Sequence, residues 1–406
     1  MSRSLRVIVL IWLLWSVIII GFQTIVQNRF QPNRPDRALE WTPNETARNS
    51  QNDKPYLIDP FMNNQVSWDS EFYLSIGTVG YDDPDVRLVT TPEGEFSMNY
   101  AFFPFYPLMI RVVRAPLTLL GLSPIGASTL AGVLISLAGT LAAMITLYDI
   151  TRDELEERGG VRTAFYLLIF PTSFFLAQVY VEGLFVGLAF GCLALLRRDH
   201  FVLAALLAGL ATWTRSVGAV LIVPLALSWL GLIDWRSFKP RRPAQTLLIR
   251  GVLVFTPVAA YLIWQALLGH PFQLVETYWF GRTAFDFKKF MEGTQYALDQ
   301  FFNGSNMQMR VYFGIEFAAV ILALLSCLLV ARRYPALAIF GVFAVLIPLT
   351  SGAPQSLVRY VLAVPSLYIV LSRWGRHEAF DRAWTVFGVL MLSLLTALFT
   401  FDMWVA

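Results

Sequence analysis

Long apolar segments follow one another along most of the chain, and this pattern most constrains the fold. Hydrophobic residues make up 56% of the 406 residues and charged residues 15%, whereas soluble globular proteins carry about 25% charged residues. The pattern predicts an all-α polytopic membrane protein. Several runs are shorter than the roughly 20 residues that a helix needs to cross a bilayer, so some are expected to be broken or re-entrant. Beyond residue 120 the runs are 124–148, 163–178, 180–196, 201–213, 216–233, 248–268, 311–331, 335–350, 356–373 and 384–404.

The first apolar run, residues 7–22, is preceded by Arg3 and Arg6. A secretory signal peptide would have similar flanks, but no small-residue cleavage site follows. We therefore predict an uncleaved first transmembrane helix. Positive charge favours the cytoplasmic side of a membrane, which places the N-terminus in the cytoplasm.

Two basic clusters give further orientation marks, and both are predicted to be cytoplasmic. The number of membrane crossings can be counted backwards from these clusters or forwards from the first helix. The two counts differ by one crossing. One segment within residues 102–148 is therefore expected not to span the membrane fully. The clusters are Arg197 with Arg198, and Arg236 with Lys239, Arg241 and Arg242.

The whole chain, residues 1–406, is predicted to form one membrane domain of about 10–12 transmembrane helices. A large first external loop (28–100) precedes a transmembrane bundle (101–268), a second external loop (269–310) and C-terminal helices (311–404). The sequence contains no Gly-rich phosphate loop, internal repeat or soluble nucleotide-binding domain. Its net charge of +3 gives no reason to expect nucleic-acid binding. The three histidines are too far apart in sequence to suggest a metal cluster.

The segment Val66–Tyr81 places two acids, Asp69 and Glu71, in an aromatic and apolar run within the first external loop. Val66–Ile76 has helical spacing and is predicted to form a helix lying along the membrane surface. Asp69 is a candidate general base, with Glu71 as a helper or ligand. The alternative is a surface helix that carries two solvated acids.

Other polar residues interrupt apolar runs and are candidates for substrate contacts. Glu182 is an acid at a helix end or within the membrane, where ionisable residues are functional candidates; a simple interfacial turn is the alternative. Arg215 and Arg359 are candidates for a lipid phosphate, because the planar guanidinium suits phosphate geometry, and snorkelling to the interface is the alternative. Asn99 opens a segment in which Pro104 and Pro107 suit the first turn of a helix.

The order and spacing of these segments resemble the PIG-V family, whose eukaryotic members are the second mannosyltransferase of glycosylphosphatidylinositol-anchor assembly. The resemblance runs from about residue 68 to 359. It rests on Trp68-Asp69-Ser70-Glu71-Phe72-Tyr73-Leu74-x-Ile76, Gly80-Tyr81, Asn99-Tyr100-Ala101-Phe102-Phe103-Pro104-x-x-Pro107-Leu108, Pro171, Phe174-Phe175, Tyr180-x-Glu182-x-Leu184-Phe185, Arg215-Ser216-x-Gly218 and Arg359-Tyr360.

The resemblance implies a GT-C membrane glycosyltransferase fold and a polyprenyl- or dolichyl-phosphate-mannose donor. It implies transfer to a glycolipid or glycan acceptor on the extracytoplasmic face of the cell membrane, with Asp69 as the base of an inverting reaction. Trp68, Asn99, Tyr180 and Glu182 are the substrate-binding candidates. No cofactor is required by the sequence, although a divalent metal held by Asp69, Glu71 and Glu182 is possible and sensitivity to EDTA would test it.

One position departs from the family pattern. Family members often carry a histidine where this chain has Phe72; if that histidine helps to bind the acceptor, the acceptor of this chain is expected to differ. The simple N-terminus and the lack of a lumenal retention signal suit a prokaryotic relative, for which a GPI acceptor is not expected. A transporter or lipid flippase is the competing class, and a non-catalytic subunit is a third. Within the enzyme class, another lipid-linked sugar or a protein acceptor stays open.

Overall fold

Nearly all the regular structure of this computed structural model is helical. The model describes residues 2–234, 239–240, 242–283, 286–352 and 355–405. Its helices, in chain order, are α1 (Arg3–Arg29), α2 (Pro55–Ile58), α3 (Ser70–Thr78), α4 (Phe105–Leu117), α5 (Pro124–Leu168), α6 (Glu182–Arg197), α7 (Phe201–Thr212), α8 (Ile222–Leu230), α9 (Ala244–Leu253), α10 (Thr256–Leu267), α11 (Phe272–Tyr278), α12 (Phe287–Phe302), α13 (Met307–Val330), α14 (Pro335–Leu349), α15 (Leu357–Val361), α16 (Pro365–Trp374) and α17 (Glu378–Thr400).

Strands are confined to two short antiparallel hairpins in the described chain. In the first, β1 (Leu88–Thr91) pairs with β2 (Gly94–Ser97). In the second, β3 (Ile233–Asp234) pairs with β4 (Lys239–Pro240). The first hairpin lies within the predicted external loop and was not predicted. Its strands alternate weakly in polarity, which leaves little period-2 signal in the sequence.

Five helical segments within the described residues are long and apolar enough to cross a membrane, which makes this a multi-pass membrane protein. They are Arg3–Arg29, Pro124–Leu168, Ala244–Leu267, Met307–Val330 and Glu378–Thr400. Three shorter apolar helices accompany them: Phe201–Thr212, Ser216–Leu230 and Pro335–Leu349. The predicted all-α polytopic class is confirmed. The prediction of about 10–12 transmembrane helices also counted shorter apolar segments, which are not long enough to be among these five.

The helix α5 is interrupted at Glu156, where φ is 60° and ψ is 177°. The first part of α5 packs closely against α6. A Cβ atom added at Gly139 would lie 2.3 Å from the carbonyl oxygen of Gly183, and one at Gly187 would lie 2.5 Å from that of Gly139. Small residues allow helix backbones to approach in membranes. This contact fixes the start of α6, and therefore the position of Glu182.

The helix α4 has 13 residues, fewer than the roughly 20 that a helix needs to cross a bilayer. Its first residue, Phe105, donates its backbone N–H to the carbonyl of Trp213. Arg111 donates to the carbonyls of Ile76 and Val79 and so caps the C-terminal end of α3. The helix lies beside the first part of α5, where the hydroxyl of Tyr106 donates to the carbonyl of Gly132.

The helix predicted over Val66–Ile76 begins later than expected and is not a surface helix. α3 starts at Ser70, because Trp68 has a positive φ of 50° and cannot continue a right-handed helix. Residues Ser70 to Gly77 are all buried. Apolar side chains on every face of this short helix pack inside the protein, so the prediction of a membrane-surface helix was wrong.

Two predicted features lie partly outside the described residues. Of the second basic cluster, Arg236 and Arg241 are not described. In the loop Ser351–Ser356, Ala353 and Pro354 are not described.

Candidate functional site

Asp69 stands at the junction between an extended segment and α3, as the N-cap residue of that helix. The hydroxyl of Tyr180 fixes this junction: it accepts a hydrogen bond from the backbone N–H of Asp69 (3.2 Å) and donates one to the carbonyl of Ser67 (3.0 Å). The left-handed backbone of Trp68 between them costs about 1–2 kcal/mol. Backbone strain of this kind concentrates at functional sites.

A chain of ion pairs links Asp69 to three other predicted site residues. Arg359 donates from Nη1 to Oδ2 of Asp69 at 2.6 Å, and its Nε lies 3.4 Å from Oε1 of Glu182. The same Oε1 accepts from Nη1 of Arg215 at 2.7 Å. The side chain of Glu182 is 2% exposed and that of Asp69 is 23% exposed. Four residues separated by up to 290 positions in sequence therefore form one site, with Asp69 as its open end.

Arg359 is held by the short helix α15, whose first turn is anchored from α13. The backbone N–H of Val358 donates to Oε2 of the fully buried Glu316 at 2.8 Å. The backbone N–H of Ser356 donates to the hydroxyl of Tyr312. A carboxylate at the N-terminal end of a helix satisfies otherwise unpaired N–H groups, so Glu316 fixes the direction in which Arg359 points.

Arg215 lies in an extended connection between α7 and α8. Gly218 allows this connection to fold tightly back onto α7, since a Cβ atom there would lie 2.4 Å from the backbone of Ala211 and Thr212. The guanidinium of Arg215 lies over the ring of Tyr360, 4.2 Å from its centroid, a favourable cation–π geometry.

A third arginine, Arg282, reaches the same place from the second predicted external loop. Its Nη1 donates to the hydroxyl of Tyr360 at 3.3 Å. The backbone N–H of Thr283 donates to the carbonyl of Ser351, which holds this loop against the segment before α15. No carboxylate oxygen lies within 4.0 Å of Arg282 among the described residues, whereas Arg215 has one carboxylate within that distance and Arg359 has two. Glu276 acts on Arg282 electrostatically from α11.

Glu71 points into a cavity of about 520 Å³ that also contacts Asp69. Glu71 belongs to the first turn of α3, two residues from Asp69, and positions so spaced do not share a helix face. Its side chain has no hydrogen-bond partner among the described residues. Burial raises the pKa of Glu71 to about 7, while the charges of Lys54 and Arg87 act in the opposite direction.

The titration of Glu71 should be visible in both activity and stability. We expect the transfer rate to rise with pH through about 7, as the carboxylate ionises and can accept hydrogen bonds from an acceptor. The native state binds the proton more tightly than the unfolded state, so stability should fall as pH rises from 4.5 to about 7. Glu71→Gln should abolish both dependences. Persistence of the inflection near pH 7 in the rate profile of Glu71→Gln would assign it to another group.

Three of the four predicted substrate-binding residues do not line the cavity: Asn99, Tyr180 and Glu182, the last of which lies in the ion-pair chain. Asn99 is fully buried, and its amide donates to Ser75 and to the carbonyls of Gly80 and Tyr81. Tyr180 is 1% exposed. The side chains of Asn99 and Tyr180 thus contact other parts of the protein, while Trp68 lines the cavity itself.

The three acids named for a possible metal do not converge. The guanidinium of Arg359 lies between Asp69 and Glu182, and Glu71 faces the cavity. No group of three or more His, Cys, Asp or Glu with metal-binding geometry occurs among the described residues. These side chains, as arranged, do not fit a shared divalent ion, and we derive no step through one.

Arg282, Glu316 and Asp402 belong to the neighbourhood of the site but were not predicted. Glu316 had a signal, since an acid within an apolar run of transmembrane length is a functional candidate. Arg282 lay in a polar segment together with other cations, and Asp402 followed the last apolar run. No local pattern distinguished either of them.

Comparison with known proteins settles the family. The model of the mannosyltransferase (PIG-V) family matches residues 6–285, more than half of the chain. The chain belongs to this family. The family match includes Asp69, Glu182 and Arg215, and it ends before Arg359. The ordered motifs predicted membership of the PIG-V family. They also predicted the GT-C class of membrane glycosyltransferase, to which that family belongs.

A curated relative is similar over part of its length. GPI alpha-1,6-mannosyltransferase 2 of Cricetulus griseus is 31% identical over 170 residues, which cover 40% of this chain and 31% of that protein.

Two solved structures are similar in outline. The Archaeoglobus fulgidus oligosaccharyltransferase, in complex with Zn and sulfate, has 14% identity and a TM-score of 0.45, and the match covers 96% of this chain and 53% of that chain. ArnT from Cupriavidus metallidurans, bound to undecaprenyl phosphate, has 17% identity and a TM-score of 0.46, and covers 86% and 74% respectively.

Proposed function

We propose that this PIG-V family member is an inverting mannosyltransferase that takes mannose from a polyprenyl- or dolichyl-phosphate donor. The observation that carries the proposal is the site itself: an accessible carboxylate, Asp69, beside three arginines in a multi-pass membrane protein. A lipid-linked sugar phosphate needs positive charge for its phosphate and a base for the incoming hydroxyl. The two requirements meet here within one site.

The donor phosphate is bound by the three arginines around Tyr360. Arg215 and Arg359 are ion-paired with two acids, Asp69 and Glu182. Arg282 donates to the hydroxyl of Tyr360 and interacts with Glu276 only electrostatically. Arg359 and Arg215 already hold these acids, whereas Arg282 has no such partner within ion-pair distance among the described residues. Arg282 therefore makes the first contact with the phosphate, and the other two stabilise the charge that develops as the phosphate leaves.

Arg282→Gln is expected to weaken donor use more than acceptor use. A hydrogen bond to a charged group contributes about 1.5–3 kcal/mol, so the kcat/KM for polyprenyl-phosphate-mannose should fall roughly ten- to hundredfold. Lys288→Gln is the matched control, because Lys288 is close in sequence and its side chain is 84% exposed. An equal loss for donor and acceptor would indicate that Arg282 serves the structure of the loop and not the phosphate.

Asp69 accepts the proton of the acceptor hydroxyl. Oδ2 is held by Arg359, and Oδ1 has no hydrogen-bond partner among the described residues. The hydroxyl oxygen forms a bond to the anomeric carbon from the side opposite the phosphate. The bond from that carbon to the phosphate oxygen breaks, the lipid phosphate keeps the electron pair, and the anomeric centre is inverted.

The site is proposed to face the extracytoplasmic side, with the N-terminus in the cytoplasm of a cell-membrane protein. Arginines concentrate at the far end of the bundle, where Arg198 pairs with Asp149 and Arg373 with Glu154, and the positive-inside rule makes that end cytoplasmic. A cysteine introduced at the exposed Asp82 should react with a membrane-impermeant thiol reagent in intact cells. If the introduced cysteine reacted only after the membrane had been broken, the site would face the cytoplasm and the proposed orientation would be wrong. Both native cysteines are buried.

The choice of donor tests the proposed function. Purified protein in proteoliposomes is given total lipid extract of the host and mannose labelled either on polyprenyl phosphate or on GDP. We expect label to enter an acceptor from the lipid donor and not from GDP-mannose. Transfer from GDP-mannose alone would contradict the proposal.

A further inference from the structure

None of the three arginines lines the cavity beside Asp69, and the residues that do line it have a different chemistry. Its volume of about 520 Å³ is in the range of roughly 300–1,000 Å³ that is common for small-molecule sites. Two cations, Lys54 and Arg87, line it. Six acids line it as well: Glu45, Asp53, Asp69, Glu71, Asp85 and Asp402. A wall with this excess of acids disfavours a second phosphate and suits a neutral ligand.

Aromatic rings form another part of the same wall. The ring of Trp404 meets that of Trp68 edge to face, with centroids 4.9 Å apart, and that of Trp41 with centroids 6.2 Å apart. The indole N–H of Trp404 donates to the hydroxyl of Tyr312, which fixes the ring. Aromatic faces carry negative charge density, so they attract the C–H groups on the apolar face of a pyranose.

Several polar groups of this wall lack partners. The indole N–H groups of Trp41 and Trp68 are buried with no hydrogen-bond acceptor among the described residues, and Glu71 has no partner for its carboxylate there. Buried polar groups are normally paired, so unpaired groups beside a cavity favour a ligand that can form hydrogen bonds with them. A sugar hydroxyl can accept a hydrogen bond from an indole N–H of Trp41 or Trp68, and it can donate one to the carboxylate of Glu71. A sugar therefore suits both kinds of unpaired group.

Part of this wall comes from the segment that follows α17. Oδ1 of Asp402 accepts from the hydroxyl of Ser67, two residues before Asp69, at 3.0 Å, and Oδ2 lies 3.3 Å from Nη2 of Arg34. Asp402 and Trp404 both lie beyond the residues matched by the family model. The hydrogen bond attaches this segment to Ser67, just before the candidate base, and the ion pair attaches it to Arg34 earlier in the same external loop.

We propose that this cavity is the acceptor subsite, that it takes a neutral sugar of a glycolipid or glycan, and that Trp404 and Asp402 determine which sugar it accepts. The inference rests on the proposed function. It assigns opposite sides of Asp69 to the two substrates: the arginines hold the donor phosphate, and the tryptophan-lined cavity holds the acceptor sugar, with its hydroxyl at Oδ1 of Asp69.

The test combines kinetics with direct binding on the full chain. With polyprenyl-phosphate-mannose and a dilution series of host lipid extract, Trp404→Ala should raise the KM for acceptor about tenfold while the KM for donor stays within twofold. Trp404→Phe and Asp402→Asn, which disturb packing less, should give smaller increases of the same kind. Trp374→Ala is the control, because Trp374 is partly exposed on α16, at the far end of the bundle.

Binding of methyl α-mannoside to the purified wild type, followed by saturation-transfer NMR, needs no turnover. We expect a signal that is reduced in Trp404→Ala and Trp404→Phe, kept in Trp374→Ala, and weaker for mannose 6-phosphate. If wild type transfers sugar and the acceptor KM is unchanged in all three cavity variants, the subsite is wrong and the proposed function stands. If wild type transfers nothing, the proposed function fails, and the NMR signal still decides whether the cavity binds a neutral sugar.

Discussion

Asp69→Asn should lower the rate of sugar transfer by about 10²–10⁴-fold, the usual contribution of a general base. Asparagine has nearly the same shape and its amide oxygen can still accept from Arg359, so the fold and the position of α15 should be kept. What is lost is the ability of the group to take the proton of the acceptor hydroxyl. Single-turnover measurements with purified protein would show the loss in the chemical step, while donor binding changes little.

Asp82→Asn is the matched control for this experiment. Asp82 lies in the same external segment, is exposed, and accepts a hydrogen bond from Tyr100 that asparagine can also accept. It does not line the cavity beside Asp69. Near-normal transfer by Asp69→Asn, or a comparable loss in Asp82→Asn, would remove Asp69 from the role of base.

Glu182→Gln should have the largest effect on stability. The carboxylate of Glu182 is shared by Arg215 and Arg359, and its side chain is 2% exposed. Removing it leaves two buried guanidinium groups close together without their common partner. Breaking a buried pair in this way costs roughly 3–5 kcal/mol, and Arg359 loses one of the contacts that orient it towards Asp69. We therefore expect a lower melting temperature and a loss of transfer together.

A double-mutant cycle separates the ion pair from unrelated packing. Arg215→Gln alone should also destabilise the protein, and the combination with Glu182→Gln should cost clearly less than the two single effects added, since coupled residues are not additive. The exposed pair of Glu378 and Arg382 is the control, and Glu378→Gln should change stability little, as is usual for surface pairs. Additive effects in the cycle would mean that the Glu182–Arg215 contact stabilises nothing.

Much of this architecture could be predicted because a membrane imposes simple rules. A helix must be apolar over its length to face lipid, so the runs in the sequence mark the helices, and a charged residue at the edge of a run is conspicuous. Asp69, Glu182, Arg215 and Arg359 were singled out for that reason, and the structure brings all four together. Their chemical roles stay predictions that the experiments above test.

What could not be predicted depends on contacts between distant parts of the chain. The late start of α3 follows from the left-handed backbone of Trp68, which is set by its surroundings. The position of α4 depends on contacts such as those of Arg111 with the end of α3, which are invisible in a hydropathy pattern. Asp402 and Trp404 reach the site because the last long helix returns the chain to that end of the bundle, and nothing in their local sequence indicates it.

The most direct test of the central claim is the anomeric configuration of the product. Wild-type protein is given polyprenyl-phosphate-mannose carrying ¹³C at the anomeric carbon, together with host lipid acceptors, and the carbon–proton coupling at that carbon is measured in donor and product. A single displacement by a hydroxyl activated at Asp69 predicts that the labelled mannose is found on the acceptor with the configuration opposite to that of the donor. A product with retained configuration, or label that never leaves the donor lipid, would contradict the account.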